Sequence, residues 1–594
     1  MHELHLVRVF RKRIEGLKNK AALRVQQDGQ WRDINWQAVG RSMDYLAQAL
    51  IRLGHQPQQM VGIFSRNMPE WTQADLGILA ARGVVVPIYP TNTLEQTRYI
   101  LRDAGIRILF VGEQPQFDLA LQLLNEGEIS QIICFDEHVD LRGCSQAMHF
   151  DAMLQLGNHA ESAEELARRA TDYRMDDLLT LVYTSGTTGE PKGVMVDFNN
   201  LAALLVMHDQ RVSVGHEDVS LALLPLSHVY ERYWTFYVLY RGAVNVYIRD
   251  PQAVMSVLHE VRPTLMCAVP RVYEKAYNII HGKADGANRV RRAIFYWCKA
   301  VGLKALEVKR SGEAFGLWLT LQHKVADRLL FSTLRRRFGG RVRFLPVGGA
   351  RLADEINLFF NAAGLNIKCG YGLTETNATV SCPELDDLAI GTIGTPLAGL
   401  EVRLGEDKEI QVKGPTVMRG YYNKPEETAK VFTEDGFFRT GDAGDLDAQG
   451  RLLFTERLKD LMKTSNGKYV APQLVEGALS QDRFIEQIAV IADARHFVSA
   501  LIVPSFEALE EYARSIGLEY QNKLELLRHG KVVAFFESRI NELQRSLAKY
   551  EQVKKFTLLP RPFSMELGEL TPTLKLRRKV IEQAFGAEIE AMYR

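Results

Sequence analysis

The chain reads as an α/β protein: a large N-terminal region of mixed, mainly parallel sheets flanked by helices, followed by a small α+β domain at the C-terminal end. Two observations predict this. From Trp36 to Val111 helical patterns alternate with short β-rich runs, which is the rhythm of βαβ units. Beyond Gly441 that rhythm gives way to short strands and glycine turns, and from Phe506 onward to helices.

In chain order, apolar spacing predicts helices over Trp36–Leu53, Trp71–Arg82 and Leu94–Ala104. Between them the runs 60–64, 84–88 and 106–111 are rich in Val, Ile and Phe and are expected to be strands. The alternation recurs over 178–270 and 341–372. A basic segment interrupts it: from Arg289 to Arg343 there are fourteen Lys/Arg and three acids, a local charge of +11, with helical periodicity and interleaved Phe295, Tyr296, Trp297, Phe315 and Trp318. Its two readings are a membrane-surface helix and a solvated helical insertion.

Composition excludes several classes. Of 594 residues 46% are hydrophobic and 24% charged, which describes a folded globular chain rather than a disordered or fibrous one. Lys+Arg (73) and Asp+Glu (72) balance, so no global field draws the chain to nucleic acid. The six cysteines form no CxxC pair and are expected to be reduced thiols. Neither a signal-like apolar run nor a stretch of the ~18 apolar residues that a membrane span needs is visible, so a cytoplasmic location is expected.

The most informative segment is a strand-like run, Leu178 to Tyr183, that enters Thr184-Ser185-Gly186-Thr187-Thr188-Gly189-Glu190-Pro191-Lys192-Gly193. Glycines let backbone N–H groups face an anion, hydroxyls add donors, and a lysine adds a mobile charge, so the loop suits a polyphosphate. It is not a Walker A loop: counted from Gly186, the second glycine falls on Pro191 and the Ser/Thr on Gly193.

Thr184 to Gly193 resembles the signature loop of the adenylate-forming superfamily, which includes acyl-CoA synthetases. Further segments resemble that family's motifs in the same order: Leu224 to Tyr230 with His228, Val347 to Leu352 with Gly348, Gly349 and Ala350, and Gly370-Tyr371-Gly372-Leu373-Thr374-Glu375-Thr376. Arg439 to Asp442, Arg457 to Asp460, and Leu570 to Arg578 complete the set. The terminal loop reads Thr573-Leu574-Lys575 rather than the commoner Ser-Gly-Lys, and Asp197-Phe198-Asn199-Asn200 stands where the family often has Thr-His before an Asn; the first variant and the basic insert are most like the long-chain fatty acid branch.

The resemblance implies ATP, Mg²⁺ and coenzyme A as partners of a fatty acid, with acyl-AMP formed first and acyl-CoA second. It implies that Thr184, Ser185, Gly186, Thr187, Thr188, Gly189 and Lys192 hold phosphates, and that Gly348, Gly349, Ala350, Gly370, Tyr371 and Gly372 receive adenine. Thr374 is implied at the α-phosphate, Glu375 at Mg²⁺, Asp442 at the ribose, Arg457 among the cofactor-binding residues beside the hinge, and Lys575 as the catalytic bridge between carboxylate and α-phosphate. His228 is implied beside the acyl carboxylate, although on its residues alone a satisfied core histidine is as good a reading. Lys459 is implied as the hinge, giving a large domain over 1–456 with the basic insertion at about 285–343, a hinge over 457–460 and a small mobile domain over 461–594. Tyr230, Tyr233, Trp234, Phe236 and Tyr237 line the mouth of an acyl tunnel or form an aromatic core helix. A fatty acyl-AMP ligase serving a carrier protein and an inactive lipid- or nucleotide-binding relative are the alternatives. Monomer and homodimer are both open, as is peripheral contact through 289–343 at the inner face of a membrane.

Overall fold

The computed structural model describes residues 4–184, 190–250, 253–545, 547–571 and 575–594. One sheet orders seven strands, Ala147–His149, Gln131–Cys134, Ile108–Val111, Met60–Phe64, Val84–Ile88, Leu178–Thr184 and Lys192–Asp197. Neighbours are parallel except for the last pair, which forms a hairpin. A second sheet orders Val219–Ala222, Val244–Tyr247, Ala21–Gln27 and Gln30–Asn35. Single parallel bridges through Leu265 and Phe344 carry it on to the pair Leu345–Val347 and Ile367–Cys369.

The two sheets share one core. Val61, Ile63 and Phe110 of the first meet Leu23, Ala222 and Tyr247 of the second through the helices Trp36–Arg52, Pro69–Ala80, Phe198–Arg211 and Val229–Tyr240. The far face of the first sheet packs on Leu94–Ala104 and Gln114–Asn125. That of the second packs on Val254–Val261, Pro270–Asp285 and Arg289–Arg310. The layering is therefore α/β/α/β/α, as parallel sheets require when both faces must be covered. Helix starts follow their caps: Asn35 accepts from the Ala38 N–H at 2.8 Å, and Thr93 forms a capping box with Gln96.

Helix Pro69–Ala80 is buried along its whole length yet carries Asp75, and helix Val229–Tyr240 answers it with Arg232. Arg232 donates Nε to Asp75 Oδ2 (2.8 Å) and Nη2 to Oδ1 (2.6 Å), each side chain 1% exposed. Its Nη1 reaches Thr180 Oγ1 at 2.7 Å, and that hydroxyl donates to the Val85 carbonyl at 2.6 Å. One guanidinium thus locks both central helices to the strand that leads into the 184–193 loop.

Past the second sheet comes a four-stranded antiparallel sheet, Glu401–Leu404, Glu409–Lys413, Phe438–Leu446 and Leu452–Arg457. After Arg457 a further sheet, Ile485–Ile491, Val498–Pro504 and Val553–Leu558, has its own core with helices Phe506–Ser515 and Gly530–Leu543. Two elements differ from the sequence expectation. The hairpin Ala21–Asn35 joins the second sheet ahead of the first βαβ unit, and strand Val553–Leu558 returns after the helices to pair in parallel with Val498–Pro504. All six cysteines are free. Among the described residues no helix is long and apolar enough to cross a membrane.

Candidate active site

Thr184 faces Lys192 across the hairpin that ends the first sheet. Ser185, Gly186, Thr187, Thr188 and Gly189, expected to hold phosphates, lie outside the described residues. The segment 419–422 runs along the same hairpin, with Met195 N–H donating to Gly420 O (3.0 Å) and Tyr422 N–H to Gly193 O (2.8 Å). It places Tyr421 under Lys192, whose Nζ is 5.0 Å from the ring centroid and 2.5 Å from Glu427 Oε2. Lys192 and neighbouring Lys430 hold the partly exposed Glu427 carboxyl down at about 2. Tyr421 in turn donates its hydroxyl to Glu375 Oε1 at 2.9 Å, so one ring joins the phosphate-loop lysine to the carboxylate expected at the metal.

The residues expected to receive adenine sit at the C-terminal ends of two adjacent parallel strands, where open α/β sheets form their crevice. Gly348, Gly349 and Ala350 follow Leu345–Val347; Gly370, Tyr371 and Gly372 follow Ile367–Cys369, and Gly370 N–H donates to Val347 O at 2.8 Å. At Gly372 a Cβ would lie 1.9 Å from Ala378 O, so only glycine fits, and Gly349 has φ of +85°. A Cβ on Gly348 would meet the Tyr230 ring at 3.3 Å. Thr374 opens a single 3₁₀ turn, Thr374–Thr376, that presents Glu375.

Tyr371 and Asp442, from segments 71 residues apart, meet directly: the phenol donates to Asp442 Oδ2 at 2.8 Å, and Arg457 Nε donates to Oδ1 at 3.0 Å. Asp442 is 2% exposed and belongs to the antiparallel sheet, whose last strand ends at Arg457. Lys459 follows, itself exposed, on the 3₁₀ turn Leu458–Asp460.

His228 caps helix Val229–Tyr240 by accepting the Tyr230 N–H on Nδ1 at 3.1 Å. Burial, and then the positive charge of Lys575, push its pKa down to about 4. The neutral ring with Nδ1 occupied as acceptor carries its proton on Nε2, a donor suited to a carboxylate and not a base at neutral pH. Lys575 remains solvent-accessible, and nearby protein and Arg457 push its ammonium down against the pull of Asp442, Asp460 and Glu375. The lysine is thus in electrostatic reach of His228, Glu375, Asp442 and Arg457 together. Its loop is anchored on both flanks: Arg578 pairs with Glu476 at 2.7 and 2.8 Å, and Arg561 with Glu569 at 2.8 and 2.6 Å.

Asn67 and three residues that sequence reasoning did not single out, Glu231, Tyr421 and Glu456, brace this arrangement. Asn67 donates to Leu224 O (2.7 Å) and accepts from Leu226 N–H (2.8 Å), and Glu231 accepts the Leu224 N–H at 2.9 Å, so both hold the loop that carries His228. Tyr421 bridges Lys192 and Glu375 as described. Glu456 accepts Arg457 N–H (3.0 Å) and Gln473 N–H (2.9 Å), fastening the end of the antiparallel sheet to helix Pro472–Leu479. Tyr233, Trp234, Phe236 and Tyr237 are core residues, 5% exposed or less, while Tyr230 is partly exposed beside Gly348.

The fold and this convergence of loops at strand ends are those of an adenylate-forming enzyme. The family model described as "AMP-binding enzyme" matches residues 10–422, and "AMP-binding enzyme C-terminal domain" matches 459–594. The chain belongs to the AMP-binding enzyme family. It is 34% identical to the long-chain-fatty-acid–CoA ligase FadD15 of Mycobacterium bovis over 95% of this chain and 93% of that protein. It is 29% identical to the peroxisomal long chain acyl-CoA synthetase 7 of Arabidopsis thaliana over 96% and 83%. Among solved structures, the A domain of a carboxylic acid reductase from Segniliparus rugosus, in complex with AMP and a co-purified carboxylic acid, superposes with a TM-score of 0.77 at 20% identity, covering 100% of this chain and 94% of that one.

Proposed function

We infer that the chain is an AMP-forming ligase of long-chain fatty acids and coenzyme A. A carboxylate attacks the α-phosphate of ATP to give acyl-AMP and pyrophosphate; the thiol of coenzyme A then displaces AMP. The relatives' names support the substrate class, and one observation carries the chemistry: Lys575 is in electrostatic reach of His228, Glu375 and the paired Asp442 and Arg457, groups brought together from four distant segments. Bringing an anion to a polyanion is unfavourable, since two unit charges at ~4 Å repel by about 4 kcal/mol at an effective dielectric near 20. Lys575 is read as the cation that offsets this in the adenylation transition state. His228 Nε2–H is read as the donor that orients the acid, Lys192 and the 184–189 loop as the β,γ-phosphate cradle, and Asp442 with Arg457 as the ribose contact.

Glu375 fits a hard cation: Tyr421 occupies Oε1, Oε2 has no partner among the described residues, and Mg²⁺ needs one or two carboxylates beside phosphates and waters. When bound, Mg²⁺ would neutralise phosphate charge there. The boundaries 1–456, 457–460 and 461–594 belong to the same reading, with Lys459 as hinge, and the basic segment 289–343 is the part of the chain read as meeting a lipid phase.

The test is AMP release against fatty acids of increasing length with coenzyme A present. Each buried CH₂ is worth ~0.8 kcal/mol, so two methylenes should raise kcat/KM roughly tenfold until the acyl site is filled. A flat response to length, or preference for a short or aromatic acid, would refute the long-chain assignment.

A further inference from the structure

Segment 419–430 lies along strand Lys192–Asp197, which leaves the 184–193 loop. Arg419 N–H donates to Met195 O (3.1 Å), Met195 N–H to Gly420 O (3.0 Å) and Tyr422 N–H to Gly193 O (2.8 Å). The short helix Pro425–Lys430 folds back on this run, because Thr428 Oγ1 accepts the Tyr421 N–H and donates to Lys424 O, both at 2.9 Å. Gly420, with φ of +138°, makes room for it: a Cβ there would lie 2.7 Å from Thr428 Cγ2. The same backbone contacts therefore set both Tyr421 and Glu427 beside the Lys192 ammonium, which stands 5.0 Å from the ring centroid and 2.5 Å from the carboxylate.

A carboxylate placed on a phosphate-binding lysine competes with the phosphate for it. Three features suit this pair to exchange rather than to permanent locking. The side chains of Lys192 and Glu427 are 28% and 36% exposed, so parting them strands no buried charge. The other oxygen of Glu427 accepts from Lys430 at 2.6 Å, so the carboxylate keeps a charged partner when Lys192 turns away. Tyr421 commits its hydroxyl to Glu375 Oε1 at 2.9 Å, which fixes the ring as a face for the ammonium whichever anion it meets.

We propose that Glu427 is a positioning residue of the nucleotide site that shares Lys192 with the β- and γ-phosphates: polyphosphate takes the ammonium from the carboxylate on binding, and the carboxylate takes it back as pyrophosphate leaves. The role rests on the assignment of Lys192 to phosphate, and no covalent bond is made or broken in it. Glu427 thereby weakens the hold on polyphosphate and favours release of the product.

Titration calorimetry of the full-length protein with MgATP and with magnesium pyrophosphate, no acid present, reads the exchange. Glu427→Gln keeps an acceptor for Lys192 and removes the charge, so both ligands should bind about threefold tighter or more. Glu427→Asp, which keeps the charge, should return both affinities to within about twofold of the wild type, and Glu426→Gln, which removes the same charge from an exposed neighbour, should leave them there. In steady state E427Q should lower the KM for ATP and the inhibition constant of pyrophosphate while the KM for the acid stays, a split that general loosening of the segment would not give. Unchanged or weaker binding in E427Q, the same tightening in E426Q, or no binding of either ligand by the wild type would each overturn the proposal. Because no fatty acid takes part in the titration, tighter binding in E427Q together with a flat response to acyl length would fault the substrate assignment alone.

Discussion

At Glu231 a carboxyl with no exposed surface receives the N–H of Leu224 on one oxygen, and its other oxygen has no partner among the described residues. Burial outweighs that hydrogen bond and raises its pKa from 4.5 to about 8. A raised carboxyl favours the folded state most at low pH; its contribution is present below about 4.5 and is lost progressively as pH rises to about 8. At 1.36 kcal/mol for each unit the full effect is of order 5 kcal/mol. E231Q keeps an acceptor for Leu224 but cannot ionise, so the stability difference between variant and wild type should shift in favour of the variant from acid to mildly alkaline pH. A pH-independent difference in denaturation midpoints would contradict this. Lys575→Ala should cut adenylate formation at least about 100-fold, as loss of a transition-state contact does, while sparing thioester formation from supplied acyl-adenylate; equal loss of both halves would remove its assigned role. The site residues legible in the sequence, among them Tyr371, Asp442 and Lys575, were legible because each sits in a run of several matching positions. Tyr421 acts through contacts to segments remote along the chain and Glu231 through a backbone N–H seven residues before it, and neither contact leaves a pattern in the local sequence.

Among the elements, the amphipathic helix Leu94–Ala104 was read to its exact ends, since one buried stripe and a capping box define it. Helix Pro69–Ala80 starts earlier than its apolar spacing suggested because it is buried on all sides and Pro69 occupies its first turn. The hairpin Ala21–Asn35 escaped notice because its outer strand is largely polar and exposed, as edge strands often are. The Asp75–Arg232 pair between the two central helices has a definite signature: Asp75→Asn strands a buried guanidinium and should cost about 3–5 kcal/mol, while the double change D75L/R232M should cost much less. Chemical denaturation of the three proteins measures this, and a single variant no worse than the double would show the pair to be uncoupled. Arg578 belongs to the same scale, since its pairing with Glu476 anchors the loop that carries Lys575. Arg578→Ala should therefore lower the rate of adenylation by about tenfold or more with little change in the KM for ATP, which initial-rate kinetics would show.

Over the whole molecule, Glu456 fastens the end of the four-stranded antiparallel sheet to the first helix of the C-terminal region, and Arg271 of the layered α/β region donates to the Glu486 carbonyl of the C-terminal sheet. In this arrangement Lys575 is in electrostatic reach of Arg457, Asp442 and Glu375, which suits the first half of the proposed reaction. The second half needs a path for the thiol, and rotation at Lys459 would withdraw Lys575 and bring the Met462–Val470 hairpin with Gly467 toward the site. Lys459→Pro should thus slow thioester formation more than adenylation when the two halves are timed separately. The central claim is that loops from five segments gather on one ATP to turn a fatty acid into a mixed anhydride before any thiol takes part. Fatty-acid-dependent exchange of labelled pyrophosphate into ATP, run without coenzyme A, tests it most directly. The account predicts exchange that needs the acid and vanishes in Lys575→Ala; absence of exchange in the wild type, or release of ADP in place of AMP and pyrophosphate, would contradict it.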